Sequence, residues 1–343
     1  MSVSDRNPPR QVHRLGLYAP LLALAAATVA WSLGWLLLES QIGRRMETER
    51  RAWSAQGGEI SWASRRIYGF PFRLDVDLTG AYARDASGRG VLAPVLQAEA
   101  FVFAPTHWVA VAPRGVVLTR ANGEPVVVGA HVLRASLSDF GAHPPRLSVE
   151  GIGLSFATPK SAKPYFISAA SRLQIHTRSG PDNQGAVFVH LDGAQPQFGG
   201  LFARIAQGRA FSLTVDGAYS HASALTGPDW ASAVRAWSDA GGTLTVRRAR
   251  IVAGNAVLDA GRGDLTVGVD GRLQGAITAS LRQAPRILAA MGEAGAVGPA
   301  AAATAASVLG AQGGRPVVTV TIDFQAGQTT LGPVAIGPAP KVY

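Results

Sequence analysis

The chain has 343 residues, of which 47% are hydrophobic and only 16% charged, against roughly 25% charged in an average soluble protein. That balance excludes intrinsic disorder, which needs low hydrophobicity and high net charge, and a coiled coil, whose heptads are rich in Glu, Lys and Leu. There is no cysteine, which excludes disulfides, thiolate metal sites, thiol catalysis and a lipid-modified cysteine.

Residues 1–14 carry Arg6, Arg10 and Arg14 and read as a short cytoplasmic tail. From Leu15 to Leu38 the chain holds no charge. As a helix this run rises about 36 Å, enough to cross a hydrocarbon core of roughly 30 Å. Tyr18 and Trp35 stand near its two ends, where interfacial aromatic anchors are expected. A cleaved signal peptide has an apolar core of only about 7–15 residues. Cleavage after Ala27 would also leave the apolar run TVAWSLGWLLL as a new terminus. Residues 15–38 are therefore expected to be an uncleaved transmembrane anchor.

Orientation is not set by counting, because three arginines precede the span and four (Arg44, Arg45, Arg50, Arg51) follow it. The first group lies closer to the span, and long domains translocate largely regardless of charge, so the bulk of the chain is expected outside the cytoplasm. Residues 39–56 keep a helical spacing through Ile42, Met46 and Trp53 and read as a stalk. Arg44 and Arg45 are placed to meet membrane lipids at the interface.

From Glu59 the pattern changes to period two. Phe72, Leu74, Val76 and Leu78 alternate with Arg73, Asp75 and Asp77; Val318, Val320, Ile322 and Phe324 alternate with Thr319, Thr321 and Asp323. Such strands have one apolar and one polar face, the signature of antiparallel sheet. Further strands are expected at Trp108–Ala112, Val126–Leu137, Arg146–Ala157, Gly185–Leu191, Phe211–Tyr219 and Gly242–Val252. Turn signals lie between them at Asn122-Gly123, Asp192-Gly193 and Asp270-Gly271.

Helices are few: Asp229 to Ala240, with Trp230, Val234 and Trp237 on one face, then weaker candidates at 200–207, 283–291 and Pro299–Leu309. The expected fold is mainly β with a few helices (α+β): a transmembrane helix, then curved antiparallel sheet covered by short helices. It divides into a first β-rich part over 57–195 and a second over 196–343. Gly57-Gly58 and Gly241-Gly242 each follow a Trp-containing helix, which hints at two loosely similar parts.

No chemistry-bearing motif stands out. The seven histidines show no ligand spacing, and there is no nucleophile elbow, P-loop or dinucleotide fingerprint. Ser220-His221 adjacency does not make a triad. Asp75 and Asp77 share one strand face, read as the solvated face of an edge strand. No catalytic, cofactor or metal residues are assigned, and an enzyme is not expected. The net charge of +10 is diffuse, with only Arg247, Arg248 and Arg250 clustered, so no nucleic-acid partner is expected.

Ile67-Tyr68-Gly69-Phe70-Pro71-Phe72-Arg73, together with the tail from Trp237-Ser-Asp-Ala-Gly-Gly-Thr-Leu through Gly271-Arg-Leu-Gln-Gly-Ala-Ile to Thr330-Leu-Gly-Pro-Val, resembles domain-of-unknown-function family 2125. That family is uncharacterised and mainly alphaproteobacterial. Its motifs are structural and transfer no catalytic residue. The resemblance implies an envelope protein tethered to the inner membrane with a periplasmic β-rich domain, and in broad architecture it is similar to AsmA-like envelope proteins. A non-enzymatic protein that binds or transfers lipid or acyl ligands is expected. The alternative is a structural or assembly partner of an envelope complex, using sheet edges or the Trp230, Val234, Trp237 face.

Overall fold

The computed structural model describes residues 15–197, 208–283, 298–310, 317–332 and 334–343, with positions 289 and 292. The tail expected at 1–14, the helix expected at 200–207 and most of the one expected at 283–291 lie outside the described residues.

Helix α1 (Leu15–Ala55) is continuous through both the apolar run and the stalk. Its strands follow as β1 (Glu59–Ser61), β2 (Ser64–Tyr68), β3 (Arg73–Arg84), β4 (Gly90–Phe101), β5 (Ala104–Val111), β6 (Val116–Thr119), β7 (Pro125–Gly129), β8 (Val132–Ser138) and β9 (Arg146–Ala157). Then come β10 (Ile167–Ser179), β11 (Gly185–Pro196), β12 (Phe211–Tyr219), helix α2 (Trp230–Asp239), β13 (Leu244–Ala253), β14 (Ala256–Val267) and β15 (Leu273–Arg282). Helix α3 (Pro299–Gly310) precedes β16 (Val317–Gln325), β17 (Gln328–Leu331) and β18 (Val334–Pro338).

All 18 strands join one sheet, and its pairings are antiparallel. From β9 to β18 it is a plain meander. Between β4 and β9 two short strands share each position: β4 pairs with β5 along one half and β6 along the other, and β9 pairs likewise with β8 and β7. β11 and β12 are paired along most of their length, so the sheet runs on across residues 195–196.

Only curvature lets one sheet bury its own face. A contiguous core joins Val126 and Val128 of β7 to Leu154, Ile167, Leu191, Phe211, Leu281 and Leu331, with Ala302 of α3 inside it. Ile167, Ala253, Ala256, Ala260 and Ala279 are all at or below 2% exposure. The four alanines among them let an Ala-rich helix approach closely. Helix α2 closes a different edge, where Val234 and Trp237 pack on Val267 of β14. Asp229 caps α2 by accepting a 2.7 Å hydrogen bond from the Ser232 N–H.

The same local motif ends α1 and α2. Trp53-Ser-Ala-Gln-Gly-Gly58 and Trp237-Ser-Asp-Ala-Gly-Gly242 both leave the helix through a left-handed glycine, Gly57 (φ 83°) or Gly241 (φ 80°). In both, the next glycine N–H donates back to the tryptophan carbonyl, at 3.1 Å for Gly58 and 2.9 Å for Gly242. Each indole then covers that glycine so closely that a Cβ would fall 2.1 Å from Trp53 or 2.2 Å from the Trp237 ring. The indole N–H groups donate to backbone carbonyls of Arg84 and Ser220, both at 2.7 Å.

Several expectations are corrected. Asp192-Gly193 is not a turn but a bulge inside β11, where the register with β12 shifts and Gly193 takes φ 58°. The expected strand Val126–Leu137 breaks into β7 and β8, because Gly129, Ala130 and His131 carry the chain from one half of β9 to the other. β3 is paired on both sides and is not an edge strand.

Candidate functional site

The cross-strand register assembles what single strands only hint at. One row of side chains runs through Ile67, Val76, Ala98, Ala110, Ala135, Val149, Ile175, Val189, Val215, Ala249, Ala260, Ala279 and Val320, from β2 to β16, each residue opposite the next. Every member is Ala, Val or Ile. A neighbouring row passes through Leu133, Gly151, Leu173, Leu191, Leu213, Ile251, Leu258, Leu281 and Val318. One residue along each strand, on the opposite face, stand Asp77, Gln97, Arg134, Glu150, Gln174, His190, Thr214, Arg250, Asp259, Ser280 and Thr319. The sheet thus has one continuous aliphatic face and one polar face.

Burial along the aliphatic row is uneven. Val76 (5%), Ala260 (1%), Ala279 (1%) and Val320 (8%) are buried, near α1 at one flank and α3 at the other. From Ala98 of β4 to Ala249 of β13 the members are half-buried. This partly exposed aliphatic stretch, the trough, lies between two buried flanks.

The polar face holds charge in cross-strand ladders. Glu150 accepts from the Arg134 Nε–H at 2.8 Å and the Arg172 Nε–H at 3.1 Å. Hydrogen bonds from Arg172, then Arg134, hold its carboxyl below the usual range. Arg248 and Arg250 pair with Asp259 at 3.3 and 3.1 Å, and Arg247 with Asp216 at 3.8 Å. The basic cluster is therefore matched by acid. Asp75 pairs with Arg73 at 2.9 Å, and Asp77 accepts from the Tyr68 hydroxyl at 3.0 Å.

A second opening, a groove of about 740 Å³, runs between α1 and β2, lined by Arg44, Glu47, Arg51, Arg65 and Ile67 among others. Arg65 bridges its walls, 3.6 Å from Glu47. Ile67 begins the aliphatic row, so the groove adjoins its first flank. Arg45 reaches the other way and stacks over Phe140, in the β8–β9 connection, at 5.9 Å.

Of the other residues singled out in sequence, Tyr18 is 54% exposed on α1, whereas Trp35 is only 7% exposed. The Trp35 indole donates to the Arg73 carbonyl at 2.9 Å and meets Phe70 edge-on. Trp230 is 44% exposed and donates to the Val342 carbonyl at 2.9 Å. Val234 (2%) and Trp237 (5%) point into the body instead. Ser220 Oγ lies 3.1 Å from His221 Nδ1 and also accepts from the Thr243 N–H. Among the described residues no cluster of three His, Asp or Glu side chains is arranged to hold a metal.

Helix α1 contains a segment long and apolar enough to cross a membrane, almost none of it buried in the protein. No curated protein and no solved structure matches the chain, and the broader likeness to AsmA-like proteins gains no support. A family model described as an uncharacterized protein conserved in bacteria, DUF2125, matches residues 35–340. With that match covering α1 from Trp35 onward and all 18 strands, the chain belongs to the DUF2125 family.

Proposed function

We propose that this is a membrane-anchored protein of the bacterial cell envelope that holds lipid acyl chains in its aliphatic trough, without catalysing a reaction. The reading rests on the half-buried row from Ala98 to Ala249. A soluble protein normally covers an aliphatic sheet face with helices, a second sheet or a ligand. An acyl chain suits this face because it needs apolar length and no precisely placed polar group; each methylene removed from water contributes about 0.8 kcal/mol. The apolar part of α1 would hold the body beside a lipid source, in an inner membrane with the tail in the cytoplasm and the sheet in the periplasm.

Native mass spectrometry of the full chain, extracted in a mild detergent, tests the reading. Adducts of phospholipid mass that survive detergent removal are expected. Bare protein, with extracted lipid no greater than that of an unrelated single-span protein, would sink it. A co-purifying polypeptide in place of lipid would favour the assembly-partner reading, to which the exposed Trp230 beside the C-terminal residues lends a surface.

A further inference from the structure

Four phenylalanines stand exposed at one end of the body: Phe70 (52%), Phe72 (62%), Phe101 (53%) and Phe103 (74%). They lie in the β2–β3 connection and at the end of β4 with its link to β5, tied by the Val102 N–H donating to the Phe72 carbonyl at 3.0 Å. Phe101 and Phe103 stack on each other at 5.0 Å. Soluble surfaces scatter large apolar side chains singly; a contiguous aromatic patch marks an interaction site.

Helix α1 leaves the body at this same end. The Trp31 indole donates to the Pro71 carbonyl and that of Trp35 to the Arg73 carbonyl, both at 2.9 Å. Trp31 also packs on Phe72 at 6.3 Å. On the other side of the helix, at the same level, Leu33 (57%), Leu36 (53%) and Leu37 (61%) are exposed.

Length decides where the membrane must lie. The apolar run begins at Leu15, after Arg14. From there to Ala30, the last residue before the docked tryptophans, an α-helix rises about 24 Å. That falls short of a hydrocarbon core of roughly 30 Å. The remaining length has to come from Trp31 to Leu38, which are docked against the phenylalanine end. For α1 to span without strong thinning of the bilayer, that end must enter the bilayer with it.

We propose that Phe70, Phe72, Phe101 and Phe103 form a wedge immersed in the leaflet from which α1 emerges, with the lipid bilayer itself as the partner. The exposed leucines of α1 face lipid at the same depth. The first charges above the wedge, Arg73 paired with Asp75 and Glu99 and Glu39 on α1, lie at headgroup level.

The chain has no cysteine, so single cysteines report cleanly. Phe72→Cys, Phe103→Cys and, at the opposite end of the body, exposed Lys160→Cys would each be labelled with an environment-sensitive fluorophore. The full-length variants would be reconstituted in phosphatidylcholine–phosphatidylglycerol vesicles containing a lipid with a doxyl quencher high on the acyl chain. Labels at 72 and 103 are expected to emit at shorter wavelength and to be quenched by the doxyl lipid severalfold more than the label at 160. Quenching no greater than at 160, with full access to aqueous iodide, would overturn the immersed wedge while leaving the trough untouched. Quenched labels on a protein that carries no lipid would sink the trough and keep the wedge.

Discussion

Placing a carboxylate in the trough separates a surface made to hold lipid from one that is merely half-covered. Val189 stands in the middle of the aliphatic row, between Ile175 and Val215, and is half-buried. In the lipid-free protein an aspartate there can turn to solvent. It forfeits part of the roughly 1.5–3 kcal/mol of a fully buried valine, so a folding cost of about 1–2 kcal/mol is expected. With an acyl chain laid over it, the carboxylate loses its water without gaining a partner, and the penalty rises by several kcal/mol. At about 1.4 kcal/mol per decade, that lowers lipid retention at least ~100-fold. Leu191, two residues on and 5% exposed, gives the contrasting case: Leu191→Asp puts the charge in the sealed core and should prevent folding. His190→Ala changes the polar face between them and should alter neither property greatly. The assay is phospholipid per mole of purified full-length protein, alongside thermal unfolding. Val189→Asp protein that folds and retains wild-type lipid would refute the reasoning, as would a Val189→Asp protein that fails to fold as Leu191→Asp does.

Gly242→Ala should cost about 1–3 kcal/mol by overpacking, because its Cβ would sit 2.2 Å from the Trp237 ring. Gly141→Ala, with nothing within 4 Å, should stay within about 0.5 kcal/mol; equal urea midpoints for the two would contradict this packing. Glu150 titrates below its unfolded value of about 4.3, so its ion pairs stabilise the fold above that pH, and the contribution is lost as pH falls through the lowered folded value. Glu150→Gln should therefore flatten the acid side of the stability curve below about pH 4.3; an unchanged slope in urea titrations would exclude the Arg134–Glu150–Arg172 ion pairs as a contributor. Trp35→Ala removes the indole hydrogen bond to Arg73 and the contact with Phe70, a truncation of the kind that costs about 3–5 kcal/mol in a packed site. It should loosen α1 from the body and raise protease cleavage at residues 56–58, and unchanged cleavage would show that the helix is held elsewhere.

Local patterns carried much of the fold. The alternation from Val318 to Phe324 became β16, and Asp229 capping a Trp-bearing segment became α2. Period two names the face on which a side chain lies, but not its neighbour across the strand gap. For that reason Val189, Val215 and Ala249 passed as ordinary strand residues until register set them in one row with Ala98 and Val149. Gly193 looked like a turn because glycine signals positive φ in bulges and turns alike. The docking of Trp35 on the body was not legible, because the Arg73 carbonyl that its indole meets lies far along the chain. Phe72 was visible in sequence as the start of a strand-like alternation, and Phe70 only within the Ile67–Arg73 segment that carries the family resemblance. The repeated Trp-Ser-x-x-Gly-Gly was a signal that could have been used: the spacing fixes an indole over a glycine, which the two helix ends then display.

Adjacent residues on opposite faces of one strand offer the most direct test of the trough. A photo-crosslinking amino acid placed at Val189, and in a separate variant at His190, would be activated in intact cells and the full-length protein recovered and weighed. The expected result is a phospholipid-mass adduct at position 189 and none, or far less, at position 190. Equal labelling from both faces, or protein rather than lipid captured at 189, would contradict the aliphatic face as a lipid-binding surface.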